Sequence, residues 1–348
     1  MWGKGPIIPE ARSLISDCRE RKAAQGLARI MPTLFLVIAC AFWGLSFPLV
    51  KALHLEQAQR LPGVSTLFLS SWIQFARFGL GCLVLAPFVF GVNRPTRLEI
   101  RQGLTLAGWG GVAMWLQVDA LAYTEASTSA FLTQAYCIFL PLWTSIRLRR
   151  RPSIKVVLAT LMILAGGAIL AGLRPNHLQL GRGEIGTLLA AFFFTFQILT
   201  LENPRYHQSR GIPVSFMMFL GIAVLFLPIT VITAPDLKTC FAAGASGPSL
   251  IIIASLALFC SVIAYVLMNR WQPKVTATEA GLIYSLEPVF TAAYVLFLPA
   301  MFSLMVGCFY PNEVLSTQMI VGGSLVLAAN ALMQWKTTPH SPPIGPIH

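Results

Sequence analysis

Three ionisable side chains stand inside runs that otherwise read as hydrocarbon: Arg77 in "SSWIQFARFGLGCLVL", Asp119 in "GWGGVAMWLQVDALAY" and Glu287 in "YSLEPVFTAAY". A charge near the centre of a bilayer costs at least ~2.5 kcal/mol on insertion scales, so such residues serve a substrate or ion path or pair with protein groups. Tyr284, Glu287, Thr291 and Tyr294 recur at steps of three, four and three, which places them on one helical face. A polar stripe on an apolar helix faces a cavity or another helix. Pro288 withdraws one backbone donor and frees a carbonyl about four residues earlier, a break that fits a cavity wall. Glu287 therefore reads either as a carboxylate that handles substrate or protons, or as a buried group that holds the kink.

Ser70, Gln74, Arg77 and Gly81 also share a face. The planar fork of Arg77 suits a carboxylate or other anionic substrate. Equally, it can neutralise Glu287 or Asp119, and that structural pair is favoured because charges in a membrane find protein partners. Asp119 lies one turn after Trp115 near the end of its apolar run, where a side chain reaches water cheaply, so it reads as a gate or interface residue. Trp43 and Trp115 fall in mid-run, where an indole stacks on a planar or cationic ligand or packs between helices. Gln74, Gln117, Gln134 and Asn269 are amides that bind substrate or link helices. The candidate site is thus Glu287, Tyr284, Thr291, Arg77, Gln74, Trp43, Trp115, Asp119 and Gln134. No catalytic group, metal or cofactor is expected. All five His lie in loops, helix ends or tails, no HExxH occurs, and Asp17, Asp119 and Asp236 form no DxD. An integral-membrane enzyme acting on lipid-linked substrates would need such a cluster.

The elements that position these residues must cross lipid. Of 348 residues 56% are hydrophobic and 11% charged, against roughly a quarter charged in soluble domains. About 20 apolar residues cross a bilayer, and ten stretches qualify: 31–53, 66–90, 103–123, 127–146, 155–173, 184–201, 214–234, 248–268, 279–300 and 317–335. Nineteen of the 25 Lys and Arg fall before, between or after them on one alternate set of connections. By the positive-inside rule both termini are then cytoplasmic, in a multi-pass protein of the plasma or inner membrane. The net charge of +12 is a topology signal and not a nucleic-acid footprint. Residues 1–30 read as a cytoplasmic arm on anionic headgroups, and the Pro-rich residues 337–348 as a disordered tail. Cys240 and Cys308 fall on the same, outer side, so a disulfide between them is topologically allowed.

Ten spans with both termini inside divide into two groups of five, 31–173 and 174–336, the second inverted relative to the first. Such repeats meet near the midplane, where transporters bind substrate. "ALAYTEASTSAFLTQAYCIFLPLW" and "NRWQPKVTATEAGLIYSLEPVFTA" share a polar connection, a small-residue helix start, an aromatic and a proline. The clusters "GWGG", "AGGA" and "VGGS" read as helix-packing sites.

Several segments resemble a known family. "CAFWGLSFPLVKAL", with Trp-Gly in the middle and Lys near its end, is similar to the opening helix of EamA-type transporters of the drug/metabolite transporter superfamily. "RFGLGCLVLAPF", "TSAFLTQAYCIFLPLW" and "LIYSLEPVFTAAY" resemble their second, fourth and ninth helices, and "PNEVLSTQMIVGGSLVLAANAL" their final acidic turn and tenth helix. The resemblance implies an all-α integral membrane protein of ten transmembrane helices, arranged as two inverted five-helix repeats around a central cavity and working by alternating access. It implies a secondary transporter, or permease, that moves a small organic metabolite: an amino acid, a nucleobase-like or a cofactor-like compound. Transport is either proton-coupled or a uniport or exchange, by a monomer or a homodimer. Two features depart from the pattern: "RLRRRPS" replaces an acidic turn, leaving Glu313 without a partner in the first half, and "PAMFSLMVGCFY" at 299–310 looks inserted.

Overall fold

Ala, Leu, Phe and Met in long runs, closed by Gly, Pro or polar residues, wind into helices at each of the ten apolar stretches. The computed structural model describes residues 9–91, 94–147, 149, 151–170, 180–275, 280 and 283–334, and no strand occurs among them. The helices are α1 (Pro9–Arg60), α2 (Thr66–Gly91), α3 (Arg97–Ala120), α4 (Ala126–Thr133), α5 (Tyr136–Arg147), α6 (Ile154–Leu170), α7 (Arg182–Leu201), α8 (Gly211–Thr233), α9 (Leu237–Ala242), α10 (Gly247–Ser255), α11 (Ala264–Trp271), α12 (Glu287–Val295), α13 (Leu298–Val306) and α14 (Thr317–Gln334). Between α10 and α11 the chain winds wider, as a π-helix over Leu256–Ile263. The expected arm at 1–30 is helical from Pro9 and continuous with α1. The tail 337–348 lies outside the described residues.

Among the described residues six helical stretches are long and apolar enough to cross a membrane, and α12 with α13, bent by 61°, makes a seventh if the pair is one span. α6 and α14 are apolar but shorter, and α3 is diluted by Arg97, Glu99, Arg101 and Gln102 in its first turns. The surface is inverted relative to a soluble protein. Leu83, Val224, Ile232 and Leu304 are exposed, while Gln57, Gln74, Gln134 and Asn330 are fully buried. That distribution suits hydrocarbon outside and hydrogen bonds within.

Two close helix approaches require glycine, and the second joins the "AGGA" and "VGGS" clusters. Gly44 of α1 lies against α12, where a Cβ would come within 2.9 Å of Phe290 Cβ and 3.0 Å of the Glu287 carbonyl. Gly166 of α6 and Gly322 of α14 face each other so closely that a Cβ on either meets the other's carbonyl, at 2.7 and 2.8 Å.

At one end of the bundle, Glu99 joins two helix starts. It closes a capping box with Thr96 at the start of α3. It also accepts the backbone N–H of Arg210, which precedes α8, and pairs with the Arg210 guanidinium at 2.9 Å. Burial alone would raise the Glu99 carboxyl, but the bonds from Arg210 and Thr96 outweigh it and bring it down to about 2. At the opposite end, Glu56 accepts from Ser249 Oγ (2.7 Å) and pairs with Arg60 (2.7 Å). There too Glu313 accepts the Ala126 and Ser127 N–H groups and the Ser127 hydroxyl. Glu313 thus has a first-half partner after all: the bare N-terminus of α4, whose positive end takes the place of a side chain. Burial still raises its carboxyl, with Glu125 adding to this against the hydrogen bonds. Cys240 and Cys308 are free thiols, and Cys308 points at Gln59 Oε1.

Gly44→Ala is expected to destabilise the detergent-solubilised protein by roughly 1–3 kcal/mol through overpacking against backbone. Gly79→Ala, with nothing within 4 Å of its Cβ, is the control and should be neutral or gain up to ~1 kcal/mol of helix propensity; equal melting temperatures would refute the close contact. Because the folded Glu99 titrates below its unfolded value, its contribution is complete above about pH 4.5 and fades as pH falls towards 2. Glu99→Gln should therefore lower the melting temperature at pH 7, with the gap narrowing below about pH 4.5.

Candidate functional site

Two spans break in their interior, and the breaks lie side by side. α4 ends at Thr133 and α5 begins at Tyr136, while the chain turns at Ser285 and Leu286 before α12 starts at Glu287. Pro288 sits in the first turn of α12, where its missing N–H costs nothing. The carbonyl four residues before it, that of Tyr284, accepts the Gln134 amide at 3.3 Å. Gln134 in turn accepts from the Tyr136 hydroxyl (3.2 Å) and from Asn330 of α14 (3.3 Å). One buried amide thereby satisfies the backbone that the second break exposes and ties α4, α5 and α14 to it.

Beside the breaks lies a cavity lined among others by Trp43, Arg77, Tyr136, Tyr265, Tyr284 and Glu287. The Trp43 ring meets those of Tyr265 (5.3 Å) and Tyr284 (5.5 Å), so Gly44 admits α12 while its neighbour builds an aromatic wall. Trp43 Nε1 and Gln197 Nε2 are buried without hydrogen-bond partners. Both residues line the cavity, and such donors suit a polar group inside it. Glu287 presents its carboxylate from the first turn of α12, where the helix dipole favours negative charge.

Arg77 does not pair with Glu287 or Asp119. Its Nε donates to Ser261 Oγ (2.6 Å) and its Nη2 to the Cys260 carbonyl (2.9 Å), both on the π-helical stretch. The wider winding turns polar groups outward, and Ser261 itself reaches back to the Leu256 carbonyl (3.0 Å). Neutral groups can hold a buried guanidinium because its donors are many and fixed. Asp119 pairs instead with Arg182 at 2.8 Å, on the far side of Trp115 beside a separate surface pocket. Among the described residues Glu287 makes no ion pair.

The expected stripe divides within α12, after Glu287. Tyr284 and Glu287 line the cavity, whereas Thr291 donates to the Gly44 and Glu287 carbonyls (3.2 and 3.1 Å) and Tyr294 stacks on Phe290. Trp115 donates to Ser71 Oγ (3.0 Å) and packs on Phe226, outside the cavity. Gln74 is fully buried and neither of its amide atoms has a partner. Of the nine candidates, Trp43, Arg77, Tyr284 and Glu287 line the cavity. Gln134 supports it from behind, and Gln74, Thr291, Trp115 and Asp119 lie elsewhere. Tyr136, Tyr265 and Gln197 also line it and were not among the candidates. The aromatic before a proline in "AYCIFLP" and "IYSLEP" was the available signal for Tyr136, whereas nothing in sequence distinguishes Tyr265 from an interfacial tyrosine.

Residues 30–172 and 181–299, well over half of the chain, match the EamA-like transporter family. An uncharacterized transporter of Archaeoglobus fulgidus is 24% identical over 280 residues, covering 79% of this chain and 80% of that protein. A crystal structure of a protein with 17% sequence identity has a TM-score of 0.55 over 87% of this chain and 96% of that one, a likeness of fold alone.

Gln134→Leu should leave the Tyr284 carbonyl unsatisfied and lower stability by roughly 1–3 kcal/mol. Gln117→Leu, which removes only the bond to Thr133 Oγ1, should cost about 1 kcal/mol or less. Melting curves of the two variants that reversed this order would refute the bridging role.

Proposed function

Because the chain belongs to the EamA-like transporter family, we propose that this multi-pass membrane protein is a secondary transporter of a small organic metabolite, and that the cavity around Trp43, Tyr284 and Glu287 binds it. The gathering of one carboxylate, one guanidinium and five aromatic side chains around one cavity carries the reading. Rings of Trp43, Tyr136, Tyr265 and Tyr284 suit a planar or amphipathic body, as in aromatic amino acids, nucleobases or ring cofactors. Glu287 and the unpartnered donors of Trp43 and Gln197 suit its polar groups.

The mechanism is alternating access by two inverted five-helix halves within ten spans, with both termini in the cytoplasm. Two separate family matches of similar extent support the repeat, as do tyrosines of both halves, Tyr136 and Tyr284, facing one cavity next to a helix break. The loops joined by Glu99 and Arg210 belong to the basic set and mark the cytoplasmic end. Glu287 couples transport to protons: a carboxylate exposed alternately to water on either side changes its proton occupancy with its surroundings.

A thermal-shift screen against a metabolite library tests the site, since a ligand at a hundred times its Kd adds about 2.7 kcal/mol. A stabilising compound whose effect is lost in Trp43→Ala and Glu287→Gln is expected; one whose effect survives both places the site elsewhere. In proteoliposomes Glu287→Gln should abolish accumulation driven by a pH gradient while leaving counterflow. Unchanged accumulation and pH dependence in this variant would leave uniport or exchange.

A further inference from the structure

α1 and α7 face the cavity in the same manner. Trp43 and Ser46 of α1 line it three residues apart, and so do Phe194 and Gln197 of α7. Five residues beyond Ser46 stands Lys51, and five beyond Gln197 stands Glu202. Lys51 lies towards the Glu313 end, where its Nζ donates to the Thr124 carbonyl (2.5 Å) and it lines a second, open pocket with Glu313. Glu202 lies at the other end, directly after Leu201, the last α7 residue that lines the central cavity.

Glu202 differs from the acidic residues that tie the loops together. Glu56, Glu99, Glu184 and Glu313 all accept hydrogen bonds from side chains or helix N-termini. The Oε1 of Glu202 is buried with no partner, and its position follows a helix C-terminus, whose dipole opposes a negative charge. What lies within electrostatic reach is Tyr284, whose hydroxyl donates to Gln272 Oε1 (2.5 Å). Gln272 is itself buried with Nε2 unpartnered. Tyr284 also packs on Trp43 and lines the cavity beside Glu287.

We infer that Glu202 is a second proton-binding carboxylate of the transport path, seated at the cavity mouth where α7 ends, on the approach to Tyr284 and Glu287. It takes a proton from water at the mouth and returns to the carboxylate by passing that proton inward, where the Glu287 carboxylate accepts it; nothing is oxidised or reduced. Burial pushes the Glu202 carboxyl up to about 7, and among the described residues no charged group draws it back. It is therefore neutral below neutrality and charged above. The inference rests on the proton-coupled reading, and it gives the inner end of the path a polar entry that Lys51 mirrors with opposite charge at the outer end.

Neither arm of the test needs a transported substrate. In liposomes, dicyclohexylcarbodiimide modifies carboxyls that are protonated in apolar surroundings, and peptide mass spectrometry reads the site. Glu202 should be modified half-maximally near pH 7, with exposed Glu125 as the unmodified control; modification only below about pH 5, as for ordinary carboxyls, would overturn the inference. In the second arm, a downward pH jump followed by infrared spectroscopy reads the protonated-carboxyl band that Glu287→Gln removes. Glu202→Gln should slow its rise at least tenfold and Glu202→Asp should largely restore it, with the melting temperature little changed. An unchanged rate would take Glu202 off the path while leaving coupling through Glu287 intact. No Glu287 band in the native protein would instead refute the coupling, and this inference with it.

Discussion

In hydrocarbon a backbone carbonyl without a donor has no water to turn to, so a broken helix survives only where another group completes it. The break at Ser285–Leu286 is the point on which the rest of the structure depends. Pro288 has no N–H to offer the Tyr284 carbonyl, and Gln134, from the break in the preceding half of the chain, meets it instead. The two interruptions therefore have to lie together. Their meeting places Tyr136 and Tyr284 on one wall, and starts α12 with Glu287 facing the cavity. Gly44 then lets α1 close on α12 from the other side.

The same constraint governs the charges. A membrane protein with few ionised groups spends most of them at helix ends, where unpaired N–H groups and a dipole await an anion. Glu99 joins α3 to α8, and Glu313 caps α4. Arg77, deep in α2, is held by a carbonyl and a hydroxyl that a π-helical stretch turns towards it. Glu287 and Glu202 are left outside this economy. Neither has an ion pair among the described residues, and both lie on or next to the cavity wall.

Much of this was legible in the chain. The apolar stretches mark where helices form, and membrane composition follows from hydropathy alone. The prominence of Arg77, Asp119 and Glu287 came from their cost in lipid, and the freed carbonyl near Pro288 from backbone chemistry. Sequence points Arg77 to an acid because it shows charges and conceals hydroxyls and carbonyls, which satisfy a guanidinium equally well. Glu313 lacked a visible partner for the same reason: a helix N-terminus has no letter. The stripe from Tyr284 to Tyr294 divides after Glu287 because α1 closes on α12 there and its Gly44 carbonyl takes the Thr291 hydroxyl, a contact that spacing along one helix does not show. Glu202 sits at the end of an apolar run, where sequence does not separate a buried acid from an ordinary surface group.

Sequence by itself determined a helical membrane protein with charges confined to ends and to a few costly interior positions, because those are local properties of hydropathy and backbone chemistry. Only the tertiary structure decided which costly residues meet. Trp43, Arg77, Tyr284 and Glu287 lie far apart along the chain, and they share a cavity because two helix breaks must satisfy each other's backbone. No local rule encodes that requirement, since the donor and the carbonyl it completes belong to different halves of the chain.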